Sequence, residues 1–140
     1  MILLDTSGIL SALFADQKHH EACARILREA PPPRILSPFV LAECDYLIQK
    51  YGGVGAELTF LGEISHGAYD LPHMDRFEVG RASDFVAKYR NLNIGLADAS
   101  IVILAARFNC RDILTLDERH FRTIRFEGRR SFRILPADAH

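Results

Sequence analysis

The first residues constrain this chain most, because a short apolar run ends abruptly at a carboxylate. The run Met1–Leu4 is wholly apolar, and Asp5 follows it, with the small hydroxyl residues Thr6 and Ser7 next. This pattern predicts a short buried strand that carries Asp5 to the edge of a sheet. In open α/β sheets, binding crevices lie beyond the carboxyl ends of the strands. Asp5 is therefore a candidate wall of a functional site.

The composition predicts a single globular domain without disulfides. The chain has 140 residues, 49% of them apolar and 25% charged, and its formal net charge is −1. Its three cysteines, Cys23, Cys44 and Cys110, show no CxxC spacing, which argues against a disulfide framework or a zinc knuckle and favours the cytoplasm. No apolar stretch approaches the roughly 18 residues of a membrane span, so we expect no membrane association.

Strand-like and helix-like segments alternate along the chain. Besides the N-terminal strand, strands are predicted at 34–36, 68–71, 112–116 and 132–135. Helices are predicted at 8–14, 17–30, 38–51, 56–64, 75–89 and 96–108. Such alternation predicts an α/β fold with a twisted, mainly parallel sheet of roughly four to five short strands flanked by helices.

Some helix ends and buried faces are also predicted from local signals. Asp16 is expected to cap the second helix, and Ser37-Pro38 to start the third. Gly52-Gly53 is expected to end that third helix through a positive φ angle. Helical spacing places five further residues on core-facing sides: Tyr51, Leu58, Phe60, Leu61 and Phe77.

Four acidic residues stand where strands end or helices begin. Asp5 and Asp117 each follow a predicted strand, and Asp98 lies in the first turn of the most apolar helix. Glu43 lies in the second turn of the helix that starts at Ser37-Pro38, beside its apolar face. Because strand carboxyl ends and helix N-termini share one edge of a parallel α/β sheet, we expect all four acids to converge.

Four converging carboxylates would repel one another unless a cation neutralised them. Oxygen ligands without a His or Cys partner favour Mg²⁺, or Mn²⁺ in its place, over Zn²⁺. Such a metal lowers the pKa of bound water and braces a phosphodiester for in-line attack. The pattern thus points to metal-dependent hydrolysis.

Each acid also has a simpler interpretation when it is taken alone. Asp98 and Asp117 could cap helices, and Glu43 could be a solvated boundary residue. Asp5 is different, because strand propensity seldom explains an acid directly after a buried strand. The functional interpretation depends on the four positions together.

A set of short motifs spans nearly the whole chain in order. They are LDTS at 4–7, LAE at 41–43, GLADASI at 95–101, LTLDERHF at 114–121 and FRILP at 132–136. With these motifs the chain resembles the PIN-domain nucleases, and among them the VapC-type toxins of bacterial toxin–antitoxin modules. The resemblance implies a PIN-like three-layer fold, formed as one domain over residues 1–140.

The resemblance also implies a site and an activity. The implied metal ligands and catalytic residues are Asp5, Glu43, Asp98 and Asp117, holding one or two Mg²⁺ or Mn²⁺ ions. The implied supporting hydroxyls are Thr6, Ser7 and Thr115. The implied reaction is endonucleolytic hydrolysis of single-stranded or loop RNA. The family commonly forms homodimers and is held inactive by a cognate antitoxin whose tail enters the site.

One position departs from the family pattern. Many relatives carry an acid near Asn91, where this chain has an amide. This departure removes an additional acidic contribution from that loop and leaves the four-acid set intact.

Arginines crowd the C-terminal region, and four of them are candidate RNA-binding residues: Arg119, Arg122, Arg129 and Arg130. A neutral protein that cleaves a polyanion needs local positive charge around its acidic site. A solvated charged face, or an ion-pairing rim for a protein partner, explains the cluster equally well. His120, within this region, is interpreted as a residue that packs or orients the turn after Asp117.

Two other functions remain open at this stage. One is a phosphatase or phosphotransferase with Asp5 as an aspartyl nucleophile, although such enzymes usually carry a second acid two residues on, where this chain has Ser7. The other is a catalytically silent α/β interaction module, which would show no dependence on divalent metal.

Overall fold

The computed structural model describes residues 1–139 and has one main sheet and one small hairpin. The strands are β1 (Ile2–Leu4), β2 (Arg34–Ile35), β3 (Asp112–Leu114), β4 (Arg125–Phe126), β5 (Arg130–Ser131) and β6 (Arg133–Leu135). The main sheet has the order β2-β1-β3-β6, and each of its strand pairs is parallel. The antiparallel pair β4-β5 stands apart as the hairpin. The predicted α/β class and parallel sheet are confirmed.

The helices are α1 (Thr6–Leu13), α2 (His20–Glu29), α3 (Pro38–Ser65), α4 (Arg76–Lys88), α5 (Leu96–Phe108) and α6 (Glu118–Phe121). A single 3-10 turn, Arg90–Leu92, connects α4 to α5. Helix α1 packs against α2 and α4 against α5, while α3 contacts both α1 and α5. None of these helices combines the length and the apolar character needed to cross a membrane.

Strand β1 lies inside the sheet, and its sequence explains why. Leu3 pairs with Ile35 on one side, and Leu4 pairs with Leu114 on the other. All three residues of β1 are buried. An inner parallel strand is covered on both faces by helices, so it needs a continuous apolar run rather than an alternating one.

Two helices owe their position to single features of the sequence. Helix α5 is apolar nearly all round and buries eight of its residues, and Asn109 ends it in the left-handed region at φ 50°. Helix α1 lies against β3 because Gly8 has no side chain. A Cβ atom at Gly8 would come within 2.4 Å of the Leu114 carbonyl oxygen.

Gly53 marks a kink rather than the end of a helix. Its φ of 83° and ψ of 177° interrupt α3, and helical structure resumes after it up to Ser65. The predicted positive φ angle is confirmed at Gly53, but helical structure continues beyond it, so the two predicted helices meet end to end at the kink.

Four residues expected to face the core are exposed instead: Tyr51 at 68%, Leu58 at 63%, Leu61 at 37% and Phe77 at 69%. Phe60, in the second part of α3, is buried as predicted, and it lies about 200° around the helix from the exposed Leu58. On α4, Phe77 lies eight residues before the half-buried Phe85. Each step of four residues turns about 40° beyond a full turn, so the two side chains point in different directions around the helix. These four predictions were wrong because apolar residues at helical spacing continue beyond the part of each helix that packs against the core.

Other boundaries also differ from the sequence predictions. Helix α2 begins at His20 with His19 at its N-cap, so Asp16 does not cap it. The strand predicted at 68–71 is a single bridge between Ile35 and Asp70. The hairpin β4-β5 was not predicted, although Glu127 and Gly128 turn it with the positive φ angles 49° and 79°.

Candidate active site

One cavity of about 340 Å³ brings the four predicted acids together. Asp5, Glu43, Asp98 and Asp117 all line it. They come from the end of β1, from α3, from the first turn of α5 and from the turn after β3. The parallel sheet delivers them to one edge, as the strand and helix polarity predicted.

Asp5 is the most deeply placed of the four, with 5% of its surface exposed. Thr115 and Ser7 donate hydrogen bonds to its Oδ2 atom over 2.6 and 3.1 Å. The pKa of Asp5 is raised to about 6, chiefly by burial and also by the nearby charge of Asp98, although the hydrogen bonds from Thr115 and Ser7 oppose the shift. The site therefore resists carrying the negative charge of Asp5 without a compensating cation.

The same two hydroxyls tie Asp5 to the turn that follows β3. Ser7 Oγ accepts a hydrogen bond from the Leu116 amide at 2.9 Å, and Thr115 Oγ1 accepts one from the Asp117 amide at 2.9 Å. The supporting role predicted for Ser7 and Thr115 thus has a geometric basis, because each links Asp5 to the backbone beside Asp117.

Glu43 projects from α3 and accepts a 2.7 Å hydrogen bond from the Thr6 hydroxyl. The start of α3 is itself fixed to α5, because the hydroxyls of Ser37 and Ser100 lie 2.6 Å apart in the core. Ser100 donates to the Ala97 carbonyl, so its hydroxyl oxygen accepts a hydrogen bond from the Ser37 hydroxyl. This buried link positions Glu43 relative to the N-terminus of α5.

Asp98 lies at the start of α5 and is half-buried. Its pKa is raised, chiefly by burial and also by the charges of Asp117 and Glu43, whereas His120 and the Gly95 amide lower it. Asp98 lies in the first turn of α5, where a carboxylate interacts favourably with the helix N-terminus. Its place in the first turn of α5 agrees with the capping interpretation, and the same side chain also lines the cavity with the other three acids.

His120 bridges two of the acids. Its Nδ1 lies 2.9 Å from Asp117 Oδ2 and 3.2 Å from Asp98 Oδ2. Its Nε2 lies 2.8 Å from the Leu92 carbonyl oxygen, which can only accept, so Nε2 carries a proton.

Asp117 also caps α6, because its Oδ1 accepts a hydrogen bond from the His120 amide at 3.0 Å. His120 was not included among the predicted site residues. The signal that could have found it is its position three residues after Asp117, which places both side chains on the same turn of a helix.

The donor set fits a hard divalent cation. It consists of carboxylate oxygens, and burial together with mutual repulsion raises the pKa values of Asp5 and Asp98, an electrostatic strain that a cation would relieve. Within residues 1–139, no group of three or more His, Cys, Asp or Glu side chains is gathered closely enough to hold an ion as the side chains stand. The acids are instead directed to Thr115, Thr6 and His120.

Comparison with known proteins identifies the family. The family described as "PIN domain" matches residues 2–127. The chain belongs to the PIN-domain family. It is 38% identical over 135 residues to ribonuclease VapC26 of Mycobacterium tuberculosis (strain ATCC 25618 / H37Rv), an alignment that covers 96% of this chain and 100% of that protein.

Solved structures share this PIN fold. The M. tuberculosis toxin VapC20, described as cleaving the sarcin–ricin loop, superposes with a TM-score of 0.77 at 18% identity, over 84% of this chain and 90% of that one. A chain of a toxin–antitoxin complex from Klebsiella pneumoniae superposes with a TM-score of 0.66 at 21% identity, over 89% and 92% of the two chains. At these identities the likeness concerns the fold.

The candidate RNA-binding arginines of this PIN domain divide into two groups. Arg122 forms ion pairs with Glu118 at 2.7 Å and with Asp138 at 2.9 Å. Arg130 pairs with Glu127 at 3.3 Å and hydrogen-bonds the Asn109 side chain. The remaining two, Arg119 and Arg129, make no ion pair within residues 1–139.

Proposed function

We propose that this protein is a metal-dependent endoribonuclease that acts as the toxin of a type II toxin–antitoxin pair. The observation that carries the proposal is the convergence of four acids from four distant segments on one cavity of a PIN-domain chain. The relationship to ribonuclease VapC26 supports RNA as the substrate. The reaction is hydrolysis of a phosphodiester bond inside an RNA chain.

The proposed metal ligands are Asp5, Glu43, Asp98 and Asp117, and Mg²⁺ is the proposed ion, with Mn²⁺ able to replace it. When bound, the ion supplies Lewis acidity and an acidified water molecule. Thr115 and Ser7 hold the Asp5 carboxylate in place, and Thr6 does the same for Glu43. His120 keeps Asp98 and Asp117 within reach of each other.

Arg119 and Arg129 are the stronger candidates for contacts to RNA phosphates. Their guanidinium groups have no ion pair within residues 1–139, so binding a phosphate would not break an existing one. Arg122 and Arg130 would have to share their present carboxylate partners. All four arginines remain proposed RNA contacts, and the two without an ion pair rank above the two that form one.

We also propose that a cognate antitoxin binds this chain, that the chain forms a homodimer, and that it acts in the cytoplasm. The resemblance to a chain of a toxin–antitoxin complex supports the first point. Co-purification of the product of an adjacent antitoxin gene and light scattering of the purified chain test the first two points. Residues 1–140 are proposed to act as one PIN domain.

Cleavage of cellular RNA by the purified protein tests the activity. Cleavage is expected with Mg²⁺, is lost in excess EDTA, returns when metal is restored, and is lost in Asp98→Asn. Asp84→Asn is the matched control, because Asp84 is an exposed aspartate on α4, outside the cavity. Mapping the 5′ ends of the products then defines the target RNA.

Full cleavage in excess EDTA would contradict the metal-dependent mechanism. Trapping of a phosphoaspartate at Asp5 would instead favour the phosphatase or phosphotransferase alternative. Absence of any metal effect, with identical behaviour of Asp98→Asn and the wild type, would favour a silent interaction module.

A further inference from the structure

A second cavity, of about 410 Å³, lies directly beside the acidic one. We call it the side cleft. It shares three lining residues with the acidic cavity, namely Ser7, Leu10 and Leu47. A chain that places a phosphate at the acids can therefore place its neighbouring group in the side cleft. The volume lies in the range of about 300–1,000 Å³ that is usual for small-molecule sites.

The side cleft has an apolar interior and a polar edge. Leu10, Phe14 and Leu47 supply aliphatic and aromatic surface, and Tyr51 adds an aromatic ring that is 68% exposed. At the other edge, the turn between α1 and α2 contributes the amide of Gln17. A flat apolar group with hydrogen-bonding atoms on its rim matches both features.

The charge of the side cleft excludes a phosphate. Among residues 1–139, Asp16 is the only charged residue that lines it, and the neighbouring cavity is lined by four more acids. A phosphate there would be repelled, whereas the exocyclic amino groups of a nucleobase can donate to a carboxylate. The occupant that fits is a neutral heterocycle, such as a nucleobase, whose charged sugar–phosphate backbone lies outside the side cleft.

A third cavity shows where that backbone can run. Gln17 lines both the side cleft and a surface pocket, whose charged lining residues are Lys18, Arg25 and Glu21. Neither Lys18 nor Arg25 takes part in an ion pair within residues 1–139. The order along the surface is thus the acidic cavity, the largely apolar side cleft and a pocket in which two cations, Lys18 and Arg25, outnumber one acid, Glu21. This order suits the cleaved phosphate, the base and the next phosphate of a single strand.

We propose that the side cleft is a nucleobase subsite, in which the base next to the cleaved phosphate stacks on Tyr51 with its edge facing Gln17 and Asp16. The following phosphate is held by Lys18 and Arg25. This inference rests on the proposed ribonuclease function and names the part of the protein that selects the substrate. The turn 14–19 between α1 and α2 guides the strand next to the cleaved phosphate, in addition to the contacts proposed for the C-terminal arginines.

Binding of short fluorescein-labelled single-stranded RNA tests this subsite. Affinity is measured by anisotropy with Mg²⁺, in an Asp5→Asn background that prevents cleavage. Tyr51→Ala is expected to weaken binding about tenfold, and Tyr51→Phe to leave it within about twofold, because the ring still stacks. Tyr46→Ala is the matched control, since Tyr46 is 63% exposed on the same helix but does not line the cleft.

A single abasic nucleotide, moved stepwise along the RNA, makes the test specific for a base. At one position, the abasic nucleotide is expected to weaken RNA binding to the protein that retains Tyr51. At the same position it is expected to change the RNA affinity of Tyr51→Ala little further. Lys18→Ala is expected to reduce the salt dependence of binding by about one counterion, whereas Lys88→Ala, on α4, is not.

Two results would overturn the subsite while leaving the proposed function intact. One is a wild-type protein that cleaves RNA with Mg²⁺, combined with equal affinities of Tyr51→Ala and Tyr46→Ala. The other is unchanged RNA affinity in Tyr51→Ala with a changed oligomeric state by light scattering, which would assign the cleft to a protein interface. A wild-type chain that neither cleaves nor binds RNA would overturn both proposals.

Discussion

Thr115 donates a 2.6 Å hydrogen bond to the carboxylate of Asp5, although 110 residues separate the two along the chain. The register of the sheet explains the contact. Leu4 pairs with Leu114, so the next residue of each strand, Asp5 and Thr115, emerges at the same level of the same edge. Two short strands thereby bring an acid and its hydrogen-bond donor together.

Replacing Thr115 by Val should weaken metal binding without unfolding the protein. The hydroxyl is one of the groups that lower the pKa of Asp5, so its loss raises that pKa further and makes the charged ligand less available. We expect Mn²⁺ affinity, measured by calorimetry, to fall about tenfold. Thr123→Val is the control, because Thr123 is exposed and outside the cavity; equal affinities in both variants would disprove the role of Thr115.

The pKa of Asp5 makes stability depend on pH in metal-free protein. The folded-state pKa of about 6 exceeds the ordinary value of 3.8, so the proton is held more tightly in the folded state. The resulting destabilisation is absent below pH 3.8, grows as the pH rises, and is complete above pH 6, where it reaches about 3 kcal/mol. Asp5→Asn removes it, since an amide does not ionise.

Urea unfolding in EDTA at several pH values measures this effect. The free energy of unfolding of Asp5→Asn, relative to wild type, is expected to increase steadily from pH 4 to pH 7. The pKa of Asp98 is also raised, chiefly by burial, so the free energy of unfolding of Asp98→Asn, relative to wild type, should also increase with pH. A constant difference between Asp5→Asn and wild type over this range would show that the Asp5 pKa is not raised.

Gly8 and Gly80 are expected to respond to alanine in opposite directions. A Cβ atom at Gly8 would meet the Leu114 carbonyl at 2.4 Å, so Gly8→Ala forces α1 away from β3 and destabilises by about 1–3 kcal/mol. Gly80 lies within α4 with no atom within 4 Å of an added Cβ, so Gly80→Ala stabilises by about 0.5–1 kcal/mol. Thermal unfolding of both variants measures the difference, and a stable Gly8→Ala would refute the close contact.

Arg119 and Arg122 should differ in how they affect RNA binding. Arg119→Ala is expected to reduce the slope of log affinity against log salt by about one, as for loss of one phosphate contact. Arg122 is held by Glu118 and Asp138, so Arg122→Ala should change the slope less. Equal slopes for Arg119→Ala and the wild type would assign Arg119 to the solvent or to a protein partner.

The sequence alone was sufficient for the order of the main elements and for the edge at which the acids meet. The apolar run before Asp5 and the apolar helix after Gly95 each predicted a buried element, because a strand or helix covered on all sides needs apolar residues throughout. Chain polarity then placed Asp5, Asp98 and Asp117 at one edge. Local rules were enough for these features, since each depends on a few adjacent residues.

The tertiary structure decided which partners those residues have. No local pattern distinguishes the exposed Phe77 from the half-buried Phe85, or Arg122, which forms ion pairs, from Arg119. The contacts of His120 with Asp98 and of Thr115 with Asp5 join segments that meet only when the sheet is assembled. Burial and pairing depend on surfaces brought together from distant parts of the chain, and for that reason they follow from packing rather than from periodicity.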